Sequence, residues 1–241
     1  MKRVKRTFSF LLILLLILNL AVFAGAQDKT EIRSLKKFDK VEVSAGIDLF
    51  ISMGNRQEVK VVADEDIIDE VKTEVRNGTL HVTMDNSGFF NFFNWGNGSK
   101  SKQVFVTVTE LRGIDVSSGA DVKSENTLKG DQLELDASSG SDMEVEVIFR
   151  DISLEASSGS DVKIRGRAKT FRAHASSGSD INGRQLEASV AHVKASSGSD
   201  ISLTVTEELE ASASSGGDVT YYGNPELKEI ETSSGGDVSG R

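Results

Sequence analysis

The chain of 241 residues has no cysteine, one proline, three histidines and only 6% aromatic side chains. The missing cysteine excludes a disulfide scaffold, a thiolate zinc site, an iron–sulfur cluster and a cysteine nucleophile. Positive charge is also short. Lys and Arg number 28 against 37 Asp and Glu, a formal charge of -9. That balance argues against nucleic acid or an anionic membrane surface as the main partner. Enough apolar material remains for a packed core, at 38%, so wholesale disorder is excluded. The length allows one large domain or two small ones.

Residues 1–26 read as a processing segment. Lys2, Arg3, Lys5 and Arg6 precede an apolar run from Phe8 to Phe23, and Ala24-Gly25-Ala26 has the small side chains of a cleavage site. The apolar run is short for a membrane span. Removing four cations leaves a mature charge of -13. No later stretch is long and apolar enough to span a membrane. The mature chain is therefore expected outside the cytoplasm, in the periplasm or at the cell surface.

One motif recurs seven times: Ser-Ser-Gly-x-Asp. Its aspartates are Asp121, Asp142, Asp161, Asp180, Asp200, Asp218 and Asp237, spaced by 21, 19, 19, 20, 18 and 19. A degenerate copy, Ser44-Ala45-Gly46-Ile47-Asp48, stands far upstream. Around each motif apolar and polar residues alternate. Leu154, Ala156, Ser158, Ser160, Val162 and Ile164 share one parity, and Glu155, Ser157, Gly159, Asp161, Lys163 and Arg165 share the other. Period two predicts strand with one buried face. The parity runs through the glycine, which predicts a bend or bulge within a continuing extended run. Links such as Lys129-Gly130-Asp131, Arg165-Gly166-Arg167 and Gly183-Arg184 supply the second turns.

A unit of about 19 residues cannot bury its apolar face alone, whereas stacked units can. The fold class expected is all-β: a single-stranded β-helix or β-solenoid. Seven coils at about 4.8 Å would stand about 34 Å tall. An antiparallel sandwich is the alternative. Residues 27–110 are expected to start or cap the solenoid with atypical strands, and 111–241 to form the repeat. The strands expected in the first region are Lys40–Val43, Ile47–Met53, Val59–Ala63, Val71–Val75, Leu80–Met84 and Val104–Thr109. Asp66–Glu70 is read there as one helical turn, and Asn77-Gly78 as a hairpin.

Several words in the chain carry a family resemblance. They are Phe38-Asp39-Lys40-Val41-Glu42-Val43, Gly46-Ile47-Asp48, Val61-Val62-Ala63-Asp64-Glu65, Asn77-Gly78-Thr79-Leu80 and the serial Ser-Gly-x-Asp copies. From about Lys37 to Tyr222 the sequence resembles a bacterial family of auto-transporter adhesins, the head GIN domain, whose biochemical function is unknown. The resemblance implies a β-helical fold and an extracytoplasmic setting. It implies no catalytic residues.

Two candidate sites stand out. If the copies stack in register, the seven aspartates form a ladder whose neighbours repel by about 0.9 kcal/mol in water. Either each carboxylate caps its own bend, or the row binds Ca²⁺ or a similar hard cation. No other cofactor is implied. The second candidate is Phe89, Phe90, Phe92, Phe93 and Trp95, five aromatics in seven residues. They form either a lid over the solenoid or a recognition loop for a partner, glycan or membrane. His81, His174 and His192 fall on the polar parity, as exposed surface. Seven near-identical serines do not make a nucleophile, which needs one distinctive site with its own base. Arg165, Arg167, Lys169, Arg172 and Arg184 are expected to relieve the acidic ladder. The function expected is a non-enzymatic, adhesion-like binding module of the cell envelope, its partner an envelope protein or glycan. A carbohydrate-active enzyme and a structural or signalling accessory are the alternatives.

Overall fold

The computed structural model describes residues 28–85 and 101–241. Residues 1–26, expected to be a processing segment, lie outside the described residues. So do Phe89, Phe90, Phe92, Phe93 and Trp95.

The first strands are β1 (Asp28–Arg33), β2 (Lys40–Val43), β3 (Asp48–Met53) and β4 (Glu58–Asp64). A single 3-10 turn, Ile68–Glu70, leads to β5 (Val71–Arg76), β6 (Thr79–Met84), β7 (Lys102–Val108), β8 (Gly113–Val116) and β9 (Asp121–Ser124). Then come the long repeat strands β10 (Leu128–Ala137), β11 (Asp142–Ala156), β12 (Asp161–Ala175), β13 (Asp180–Ser196) and β14 (Asp200–Ser214). The last are β15 (Asp218–Tyr222), β16 (Leu227–Ser233) and β17 (Asp237–Gly240). Repeat strands pair only in parallel, each with the coil above and below, and Asp142 faces Asp161 as Asp161 faces Asp180. This is a β-solenoid, and the antiparallel sandwich is excluded for the repeat.

Each coil has an outbound segment that leaves the motif and an inbound segment that returns to the next one. In β11, Met143, Val145, Val147 and Phe149 are buried on the way out, and Ile152, Leu154 and Ala156 on the way back. The parity flips at Arg150 and Asp151, which both avoid the core, and this is the second corner. Inside, large side chains stack against small ones. One inbound column reads Leu133, Ile152, Phe171, Ala191 and Leu209, so fully buried Phe171 has Ala191 above it. Each large side chain so buried contributes about 1.5–3 kcal/mol.

The motif is a tighter turn than the alternation predicts. In the third copy Ser158 and Gly159 have φ of 56° and 71°, and the same pair of positive angles recurs in every copy. Two successive left-handed residues reverse the chain as in a type I′ turn. The strands therefore stop at Ala137, Ala156 and Ala175, and the second serine is exposed instead of facing inward. Left-handed serine costs roughly 1–2 kcal/mol. An inter-coil bond offsets this: Gly159 N–H donates to the Ser177 carbonyl at 3.2 Å, as Gly140 does to Ser158 at 3.1 Å. The fourth residue points into the core. Ser160 is fully buried; its hydroxyl donates to the Ala137 carbonyl at 2.8 Å and accepts from Ser157 N–H at 3.1 Å. Where alanine or glycine takes that place, the turn closes through its backbone, as from Ala120 N–H to the Ser117 carbonyl.

The region before residue 110 both enters the stack and closes its end. The Ser44–Asp48 copy is a full member: Ala45 and Gly46 have φ of 65° and 64°, and Asp48 pairs with Asp121. The winding is not consecutive, because the β2–β3 layer lies between β6–β7 and β8–β9. Beyond β6 and β7 the sheet turns antiparallel, with β5 on β6, β4 on β7 and β1 on β4. Asn77 and Gly78 have positive φ and form the β5–β6 hairpin turn. Ile67 and Ile68 close the core at this end. Both outer edges carry charge at inward positions. Lys29, Glu31 and Arg33 of β1 align with buried Ala63, Val61 and Val59, and Lys228 of β16 aligns with buried Leu209. Inward charge on an edge strand blocks edge-to-edge aggregation.

Candidate functional site

The aspartate ladder exists, and it is longer than the exact motif indicates. Asp48, Asp121, Asp142, Asp161, Asp180, Asp200, Asp218 and Asp237 pair in series along the outbound face. Burial raises the Asp142 carboxyl above its ordinary value, and the charges of Asp121 and Asp161 raise it further. Asp121 and Asp200 are raised for the same reasons, by burial first and then by their ladder neighbours. Asp218 reaches along the ladder: its carboxylate accepts from Asp237 N–H at 3.2 Å. The carboxylates run in single file. Among the described residues no three Asp, Glu or His side chains converge on a point that could hold a metal ion.

The inbound face carries a second acidic row. Glu42, Asp115, Asp136 and Glu155 stand in adjacent layers. Burial raises Asp115, then Asp136 and Glu42 add to it; burial and Glu155 raise Asp136. Each of these residues stands two places before the first residue of its motif, so aligning the copies on the serines would have exposed the row. Lys40 crosses the gap left by Gly113 to reach Glu134 at 2.6 Å. His81 meets Glu42 at 2.8 Å and His192 meets Glu210 at 2.7 Å. His174 and His192 align with Lys194 and Arg172 and not with each other.

The cations of the middle coils do not serve the ladder in the expected way. Arg165 binds Glu144 at 3.2 Å and Glu146 at 3.1 Å, both outside the aspartate column. Hydrogen bonds from the Thr127 hydroxyl and then Arg165 hold the Glu146 carboxyl below its ordinary value. Arg184 lies over the Tyr222 ring, 4.5 Å from its centroid. Lys163 acts on the ladder through space, favouring ionised Asp142.

The five-aromatic segment lies outside the described residues, but its flanks are placed. Met84 ends β6 and Lys102 begins β7, and these strand ends lie at the motif-turn end of their layer. Beside that point Phe50 and Phe105 stack at 4.9 Å, with the Lys60 ammonium 4.1 Å from the Phe105 centroid. Phe50 and Phe105 were not singled out in the sequence, because each alternates within an ordinary strand.

A family described as "Putative auto-transporter adhesin, head GIN domain" matches residues 37–225. No curated protein sequence matches the chain. Solved structures share the fold at low identity, among them these three. A "putative adhesin" from Bacteroides fragilis NCTC 9343 superposes with a TM-score of 0.79 at 18% identity, covering 90% of this chain and 98% of that one. One from Parabacteroides merdae ATCC 43184 gives 0.69 at 15%, covering 90% and 97%. A "putative lipid binding protein" from Parabacteroides distasonis ATCC 8503 gives 0.68 at 16%, covering 90% and 98%. Among the described residues no helix is long and apolar enough to cross a membrane.

Proposed function

From the premise that the chain belongs to the auto-transporter adhesin head GIN domain family, we propose that it is an exported, non-enzymatic binding module of the bacterial cell envelope. The observation that carries this reading is the in-register stacking of every motif, which lays polar side chains in straight columns on a rigid face. A repeated surface suits a repeated or extended ligand, as in other solenoids. Acid–base catalysis favours a carboxyl pair with separated proton affinities. On the outbound face of the middle coils Glu144 and Glu146 are both bound by the Arg165 guanidinium, and Glu146 is held toward its ionised form.

The test is capture. Tagged full-length chain, produced in a bacterium, is expected in extracytoplasmic fractions, and the purified protein is expected to bind isolated cell envelope saturably. Retention in the cytoplasm or absence of saturable capture overturns the reading. A variant with Phe92→Ala, Phe93→Ala and Trp95→Ala, assayed beside it, decides whether the aromatic segment contributes. Release of soluble fragments from the envelope glycans would replace binding with catalysis.

A further inference from the structure

The repeat coils are net acidic except at two adjacent levels, one basic and the next, Asp180–Ser199, neutral. The coil Asp142–Ser160 has five carboxylates and one cation, net -4; the next, Asp161–Ser179, has five cations and one carboxylate, net +4. On the outbound face at this level lies a hollow of about 500 Å³. Lys163, Arg165, Arg184, Asn182, Gln185 and Glu144 line it around Ile164. The volume lies within the usual range for small-ligand sites.

The hollow sits at a fault in the register. Lys163 pairs with Asn182, but Arg165 pairs with Gln185, so Gly183 and Arg184 together oppose Ile164. This is a β-bulge, a device that re-aims side chains and that is common beside functional sites. The coil from Asp180 to Asp200 is the 20-residue copy, and its extra residue places Arg184 and Gln185 side by side at the surface. Gly183 takes the inward position, where a Cβ would come within 3.1 Å of the Ser202 carbonyl oxygen. Arg184 is steadied by the Tyr222 ring below its guanidinium, and its backbone carbonyl accepts from the Thr204 hydroxyl at 2.8 Å. Arg165 is held by two glutamates, whereas neither Lys163 nor Arg184 belongs to an ion pair among the described residues.

We propose that this hollow binds an acidic sugar residue of a glycan. The proposal rests on the binding-module reading above and names its ligand class. Lys163 and Arg184 supply donors for one anionic group, with the arginine fork suited to a carboxylate. Asn182 and Gln185 offer both donors and acceptors to ring hydroxyls. The ladder carboxylates Asp161 and Asp180, two residues before Lys163 and Asn182 on the same face, repel an anion but accept from neutral hydroxyls. A sugar acid presents both chemistries, so the border of opposite charge orients it. An acidic peptide fits less well, because protein interfaces anchor on buried aromatic or aliphatic groups, and Tyr222 is covered by Arg184.

The probe is an oligogalacturonate, with its methyl ester as the uncharged isostere. Calorimetry is expected to show binding of the acid that weakens with salt, and at least tenfold weaker binding of the ester. The double variant Lys163→Gln with Arg184→Gln is expected to lose at least tenfold in affinity with an unchanged melting temperature. Lys123→Gln, on the same face two coils away, is expected to lose less than twofold. Equal binding of acid and ester, or equal losses in both variants, overturns the site. Polyglutamate bound as tightly and lost in the same double variant assigns the hollow to acidic peptides instead. Envelope capture undiminished in the double variant removes the site but leaves the module reading standing; absent capture by the unmodified protein removes the reading itself.

Discussion

Each coil turns twice, and the two corners solve the problem differently. The motif corner repeats one sequence, one pair of left-handed residues and one inter-coil hydrogen bond from copy to copy. The second corner has no common sequence. Gly130 aligns with Phe149, then Ala168, then Ala188, and Arg150 there pairs with Asp131 at 3.1 Å and Asp151 at 2.8 Å. Every difference in repeat length is taken up between the motif turns, in the outbound segment or at the second corner. The register shifts fall between Lys163 and Arg165, between Gly183 and Glu187, and between Ala188 and Val190, while Asp180 still faces Asp200. The motif corner fixes register, and the rest of the coil absorbs variation. That division lets a repeat of uneven length stay stacked.

Moving the variation to the wrong corner should give the largest effect. One alanine inserted between Ser158 and Gly159 parts the two left-handed residues and removes the bond to Ser177. It also slips the following strand by one place, which sends its buried face outward. The expected loss exceeds about 4 kcal/mol, read as a collapse of the urea midpoint. The same insertion between Gln185 and Leu186, where pairing already shifts, is expected to cost less than half as much. Equal losses would refute the division of labour.

Glycine substitutions sharpen the contrast at smaller scale. Gly159 has φ of 71°, yet a Cβ there would meet nothing within 4 Å. Gly159→Ala therefore carries only the backbone cost, about 1–2 kcal/mol. Gly166, in the outbound segment opposite Val147, has φ of 121°, and its Cβ would lie 1.9 Å from the Val147 carbonyl oxygen. Gly166→Ala must push two coils apart and is expected to cost about 3 kcal/mol or more. Chemical denaturation of the two variants measures the order. The motif glycine, though repeated in every copy, should prove the more replaceable of the two.

The same contrast explains what could be read in advance. Period-two alternation and a fixed spacing are local signals, so coil stacking, the strands from Lys40 onward and the seven aspartates were legible. The serine in the left-handed region was not, because its parity matches a core residue and only its backbone angle sends it outward. β1 was missed because its inward residues, Lys29, Glu31 and Arg33, are charged and hide the alternation. The hollow at Arg184 was missed because a bulge depends on the neighbouring coil: Gly183-Arg184 looks like a turn until Ile164 is placed opposite it.

Uniformity at the motif corner also has an electrostatic consequence that the varied corner escapes. Identical residues stacked in register place like charges together, so burial and its neighbours raise the Asp142 carboxyl. At the second corner Asp151 sits beside Arg150, whose hydrogen bond lowers it. A group raised in the folded state binds its proton more tightly there than in the unfolded chain. Its contribution to stability is therefore full below the unfolded value near 3.8 and is lost as pH climbs through the raised folded value. At pH 7 only the repulsion and burial cost remain. Asp142→Asn removes that charge and is expected to raise the melting temperature at pH 7, by no more than about 2 °C once solvent screening is allowed for. The gain should shrink as pH falls toward 4, where the native aspartate takes up its own proton. Asp151→Asn is expected to do the opposite, lowering the melting temperature at pH 7 and mattering less in acid. If both variants shift the same way at pH 7, the two corners do not differ in charge as they do in shape.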